Sequence, residues 1–159
     1  MVKLVPMTDA EFARYLETAI EGYAQAHIKA GDCDAAEALE LAQADYASLL
    51  PEGLASPDQY VYSVFDEASG ARVGMVWFAL RERRGKRSAF IYDFVIREEH
   101  RGKGYGAQTL AAVDRTVEAM GVTRIALNVM GYNTAARSLY EKHGYEIAGI
   151  GMTKRLRPG

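Results

Sequence analysis

Arg101-Gly102-Lys103-Gly104-Tyr105-Gly106-Ala107 separates two stretches of opposite periodicity. Upstream, Ala89-Phe90-Ile91-Tyr92-Asp93-Phe94-Val95-Ile96 is rich in the β-branched and aromatic residues of a strand. Downstream, Ala107, Leu110, Ala111, Val113, Val117 and Met120 recur at helical spacing until Gly121 stops the pattern. A strand, a glycine-rich turn and a helix together aim backbone N–H groups and the positive end of a helix dipole at an anion. The glycines let the backbone curl and approach that anion with no Cβ in the way. A plain tight turn has no need of Gly102, Gly104 and Gly106 in such close succession, so the stretch predicts a site for a phosphate-bearing ligand.

Three known arrangements compete for that ligand. A nucleotide P-loop requires Ser or Thr after its lysine to hold magnesium, and Lys103 is followed by Gly104. A dinucleotide fingerprint fits Gly102, Gly104 and Ala107. It also expects a carboxylate at the end of the next strand, and the run from Thr123 ends in Asn128-Val129. The third is Arg-x-x-Gly-x-Gly/Ala at a strand–helix junction, which resembles the acetyl-CoA pyrophosphate loop of the GCN5-related N-acetyltransferase (GNAT) superfamily. The resemblance continues through Ile125-Ala126-Leu127-Asn128-Val129. It then runs through Asn133-Thr134-Ala135-Ala136-Arg137-Ser138-Leu139-Tyr140-Glu141-Lys142-His143-Gly144-Tyr145, similar to the family's Asn-x-x-Ala-x-x-Leu-Tyr-Glu-Lys-x-Gly-Phe/Tyr block. It covers residues 88–157; before that only the order of elements is similar.

Composition agrees with one soluble globular domain spanning residues 1–159, with 49% hydrophobic and 25% charged residues. A formal net charge of −2 gives no global attraction to nucleic acid or anionic membrane. Cys33 is the only cysteine, which excludes an intrachain disulfide and suits a reducing interior. No apolar run suggests a signal peptide or membrane span, and the chain reads as cytoplasmic. Three histidines and one cysteine show no metal-ligand spacing, so no metal is expected.

Lys3 to Pro6 reads as a short strand, and Thr8-Asp9-Ala10-Glu11 as a capping box opening a helix. That helix carries Phe12, Leu16, Ala19, Ile20, Tyr23 and His27 on one face and ends near Gly31. Asp34 caps a second helix striped by Leu39, Ala42, Tyr46 and Leu49 and stopped before Pro51. Strands follow over residues 59–66 and 73–81, and a turn at Arg84-Gly85-Lys86 leads into the strand ending at Ile96. After the glycine loop come a helix, a strand over 123–129, a helix, and a strand pair over 145–148 and 152–156. The fold class is α/β (α+β). The resemblance implies the GNAT fold: a mixed, mostly antiparallel sheet of six to seven strands, splayed between the fourth and fifth and flanked by four helices.

It further implies acetyl-CoA as co-substrate and an amine, on a small molecule or peptide, as acceptor. The N–H groups of Gly102 to Ala107 would hold the pyrophosphate, and Arg101 would add charge or remain a solvated surface residue. The backbones of Phe94, Val95 and Ile96 would pair with the pantetheine arm and polarise the thioester carbonyl. Asn133 is suited to cap the following helix, and its family counterpart also contacts CoA. Tyr140 lies about two helical turns later, on the same face with ~20° of drift. It matches the family's general acid, and a phenol with reference pKa near 10 remains protonated at neutral pH. The other reading of Tyr140 is a packed core residue beside Leu139.

Two readings of Asp93 stand level. Alternation puts it on the face of Ile91 and Val95, where burial would raise its pKa into a range useful for a base; or it simply bonds a neighbouring backbone. Asn128 occupies the fifth-strand position where some relatives carry an acid, so a water relay is a further route. Glu98, Glu99 and His100 read as solvated charges, as does the basic run Arg81 to Arg87, with no nucleic-acid motif beside it. Tyr15, Tyr23, Tyr46 and Tyr60 come from the region that builds the acceptor pocket in the superfamily. They could clasp a cation or simply pack. An inactive CoA-binding sensor of the same fold is the alternative function, and a nucleotide-dependent enzyme a third. Dimers are common among relatives, which leaves a homodimer open.

Overall fold

In chain order the elements are β1 (Val2–Pro6), α1 (Asp9–Ala30), α2 (Ala35–Leu49), β2 (Gln59–Asp66), β3 (Arg72–Arg83), β4 (Lys86–Ile96), α3 (Tyr105–Ala119), β5 (Ile125–Leu127) and α4 (Thr134–Lys142). They come from a computed structural model that describes residues 1–31 and 33–157. The strands form one sheet in the order β1-β2-β3-β4-β5. Neighbours are antiparallel except β4 and β5, whose parallel pairing requires a crossover that α3 supplies.

Local chemistry accounts for most boundaries. Thr8 accepts from the Glu11 N–H while the Glu11 carboxylate takes the Thr8 N–H, closing the capping box of α1. Gly31 ends that helix in the left-handed region. Asp34 caps α2 by accepting from the Glu37 N–H at 3.1 Å. Arg84 and Gly85 have φ of 55° and 76°, the pair of positive values that lets β3 and β4 join through a two-residue turn.

The sheet is buried on both faces. Val76, Phe78, Ile91, Leu110, Val113 and Val117 form the core under α3. Met75 and Trp77, alternate residues of β3, face the other way and pack with Tyr15, Tyr46 and Val61 under α1 and α2. The two helices approach each other through Ala24, Ala38 and Ala42. The stripe of α2 is therefore Ala38, Ala42 and Tyr46, and Leu39 is half exposed: close approach to α1 selects the small residues over the larger Leu39. On α1 the most buried residues are Tyr15 and Ala24, with Phe12, Leu16 and Ile20 packed at the edge.

The sheet has five strands among the described residues, fewer than the six to seven expected, and β5 is shorter than 123–129. Residues 145–148 and 152–156 form no strands. Gly149 and Gly151 lie in the connection between these two segments, and Ile147, Ile150, Met152 and Leu156 are exposed. The short β5 forms the last strand of the sheet.

Candidate active site

The site begins with one extra residue in β4. Asp93 pairs with Trp77 and Ile91 with Phe78, so Tyr92 is unmatched and the strand bulges there. Strict alternation would keep Asp93 on the face of Ile91, as the sequence suggests. The bulge breaks that alternation: Ile91 lies in the α3-side core, whereas Asp93 turns toward Trp77 and α1.

Tyr15 Oη donates to Asp93 Oδ2 at 2.7 Å, and the Phe94 N–H donates to Asp93 Oδ1 at 2.9 Å. Burial pushes the Asp93 carboxyl above the usual carboxylate range, while these two hydrogen bonds pull it back down. Burial, reinforced by the Asp93 charge, pushes the Tyr15 phenol far up and the Tyr46 phenol up to about 12, so both remain neutral. Among the described residues no cation pairs with Asp93. It is an oriented, half-desolvated carboxyl without a salt bridge, which is the environment of a proton acceptor.

Beyond the bulge β4 loses its second partner. Pairing with β5 ends at Ile91 and Leu127, and residues 92–96 continue beside β3 alone. The Arg97 N–H donates to Val73 O at 2.8 Å, which turns the backbone groups of Val95 to β3 and those of Phe94 and Ile96 to the gap. A Cβ at Gly74 would lie 2.2 Å from Val95 O, so this close strand approach requires glycine. Arg101 Nε donates to Ile96 O at 2.9 Å and fastens the glycine loop to the strand end.

In the loop, Gly102 and Gly104 have φ of 76° and 84°, a region favouring glycine. Gly104 is the N-cap of α3 and no side chain caps that end, so the first-turn amides at Tyr105, Gly106 and Ala107 have no intrahelical acceptor. This donor set fits a pyrophosphate. Lys103 is exposed beside it. Gly106 serves packing: a Cβ there would lie 3.1 Å from Leu139 Cδ2, so the glycine lets α3 and α4 meet.

Asn133 Oδ1 accepts the Ala136 N–H at 3.2 Å and caps α4. Two turns later Tyr140 packs between Phe94 and Tyr145, with ring centroids at 6.3 and 5.6 Å. Burial first, and then the Asp93 charge, raises its phenol above the ordinary value. Asp93, Phe94, Val95, Asn133 and Tyr140 all line one cleft of about 600 Å³, whose opposite wall comes from α1 and α2. A larger hollow of about 740 Å³ beside β5 shares Leu127, Asn128, Val129 and Tyr140 with this cleft but contains neither Asp93 nor Asn133, and the glycine loop lines neither hollow. His100 sits edge-on to Tyr105 at 6.1 Å, and neither Glu98 nor Glu99 lines the cleft. No cluster of His, Cys, Asp and Glu among the described residues could hold a metal.

Sequence reasoning missed two features. The bulge at Tyr92 has no local signature, and Tyr15 is paired with Asp93 across 78 positions of chain.

The acetyltransferase (GNAT) family matches residues 16–145. YycN of Bacillus subtilis (strain 168), described as an uncharacterized N-acetyltransferase, is 36% identical over 98% of this chain and 99% of its own length. YdgE of the same organism, described likewise, is 31% identical over 96% of this chain and 97% of its own. The crystal structure of YycN superposes with a TM-score of 0.93 at 35% identity, covering 99% of this chain and all of that one. The glycine loop at the parted strands thus stands in a chain that belongs to the GNAT acetyltransferase family and is an N-acetyltransferase.

Proposed function

We propose that this chain, as one domain, transfers an acetyl group directly from acetyl-CoA to an amine, with Asp93 as base and Tyr140 as acid. The observation that carries this reading is that both side chains line one cleft where β4 parts from β5. The first-turn amides of α3 and those of Gly102 to Gly104 hold the pyrophosphate, with Arg101 and Lys103 adding positive charge beside it. The gap-facing Ile96 N–H is left for the pantetheine arm, its carbonyl being taken by Arg101, and the Phe94 N–H can share its hydrogen bond to Asp93 with the thioester carbonyl. Asn133, at the mouth of α4, orients the arm while capping the helix.

The amine nitrogen attacks the thioester carbon, a C–N bond forms and the C–S bond breaks. The proton shed by nitrogen passes to Asp93, and the departing sulfur takes the Tyr140 proton. A neutral Tyr140 is what this step needs, and both its burial and the Asp93 charge keep it neutral. Tyr15 is a positioning residue: its hydroxyl fixes the Asp93 rotamer and lowers its proton affinity from what burial alone would impose. No helix among the described residues is long and apolar enough to cross a membrane. We place the reaction in the cytoplasm, without nucleic acid or metal.

Thiol release from acetyl-CoA over a panel of amines, beside calorimetric binding of CoA, tests the reading. Acceptor-dependent release with an acetylated product is expected. Tight CoA binding with no release against any amine would overturn it.

A further inference from the structure

The run Arg81 to Arg87 has the composition of a solvated hairpin, but Arg81 folds back into the cleft. Its guanidinium carbon lies 3.9 Å from the ring centroid of Phe90 and 5.1 Å from that of Tyr92, and Nη2 donates to the Tyr92 hydroxyl. It lines the same cleft as Asp93. Among the described residues no carboxylate pairs with it. A guanidinium has five N–H donors, and among the described residues only one is engaged. A planar, ring-stacked head with open donors is preorganised for a carboxylate, because its rotamer entropy is already lost.

We infer that the acceptor is an amine carrying a carboxylate several bonds from the reacting nitrogen, and that Arg81 receives that carboxylate. The inference rests on the acetyl-transfer reading of the cleft, with the amine at Asp93. Trp77 is opposite Asp93 and Arg81 stands four residues further along β3, about 13 Å at ~3.3 Å per residue. The Arg81 head reaches back to Tyr92, the chain neighbour of Asp93, which shortens the span. The two groups thus lie apart in one cleft, an arrangement matched by a terminal amine on a short chain with its carboxylate at the far end.

Charge distribution favours this over a polyamine. The ring faces of Phe90 and Tyr92 that might have held a cation are covered by Arg81, and a second cation there would meet a like charge. Asp45, the other carboxylate lining the cleft, accepts from Tyr23 Oη at 3.0 Å on the α1/α2 wall, away from the hairpin.

The test compares acceptors that differ only in the carboxylate: 5-aminopentanoate against pentylamine, and L-lysine against 1,5-diaminopentane. The full chain should acetylate the terminal amine of the carboxylate-bearing member with kcat/KM at least tenfold higher. In Arg81→Gln that ratio should fall to near one through KM, while calorimetric affinity for CoA is retained, which shows an intact fold. Equal kcat/KM within each pair in the native chain, or an unchanged ratio in Arg81→Gln, overturns the inference. Turnover of the simple amines alone also overturns it while leaving the transferase standing. CoA binding with no turnover of any amine sinks the transferase reading itself.

Discussion

The two halves of β4 differ in their partners and their surroundings. From Ala89 to Ile91 it is paired on both sides, to β3 and β5, and Ala89 and Ile91 are buried in the α3-side core. From Tyr92 to Ile96 it keeps only β3 and Val95 is 39% exposed; Tyr92 to Val95 line the cleft, whose lining begins at Phe90 and Ile91 of the paired half. The bulge at Tyr92 is the point of change. Upstream, backbone donors are satisfied by sheet and side chains by packing; downstream, donors face a gap and a carboxyl is held without a cation. A polar, half-desolvated group is tolerated there because the Tyr15 phenol and the Phe94 amide supply its hydrogen bonds.

The sharpest way to break this comparison is Asp93→Asn. Turnover should drop by ~10² or more and the acidic limb of the pH–rate profile should vanish. Stability should move the other way. Because burial raises the Asp93 pKa, the folded state holds that proton more tightly than the unfolded chain does. Ionisation therefore costs folding free energy as pH climbs from the unfolded value, near 3.9, through the raised folded one, and the full cost persists above it. Thermal melts at neutral pH should find Asp93→Asn at least as stable as the native chain; a large loss of Tm would make Asp93 a structural residue.

Ile91→Ala tests the upstream half. It should cost about 2–5 kcal/mol in denaturant unfolding, as truncation of a fully packed side chain does, while folded protein retains its affinity for CoA. Turnover lost in step with stability is expected only from a position serving both roles, and would erase the distinction between the halves.

Tyr140→Phe keeps the ring between Phe94 and Tyr145 and removes only the hydroxyl. Acetyl-CoA affinity should survive, and turnover should fall by roughly 10–10³, toward the lower end because a thiol with reference pKa near 8.5 leaves readily. Native turnover in this variant, where chemistry limits the rate, would reduce Tyr140 to a packing residue.

The smallest effect belongs to Tyr15→Phe. Its hydroxyl lowers the Asp93 pKa, so deleting it should move the acidic limb upward with only a few-fold loss in maximal turnover. A purely structural Tyr15 would change stability and leave the limb in place.

The glycine loop, the caps at Thr8, Asp34 and Asn133, and the 84–85 turn were legible because each depends on residues within a few positions of one another. The cleft-lining placement of Asn133 and Tyr140 was legible for the same reason, since a helix maps a seven-residue spacing onto one face. Gly106 was legible as part of the loop but not as the contact point for Leu139, which lies 33 positions away.

By itself, then, the sequence determined the order of the elements from β1 to α4, the glycine turn and the helix that carries Tyr140, all governed by local backbone preference and periodicity. Tertiary structure alone decided which way Asp93 faces, because a bulge arises from the register between two strands and not from either strand. It alone brought Tyr15 to Asp93 and folded Arg81 over Phe90, since those partners meet only after the sheet has formed and the helices have packed on it. It also left residues 145–148 and 152–156 without strand structure, where an apolar pattern needs a partner edge in register before it becomes a strand.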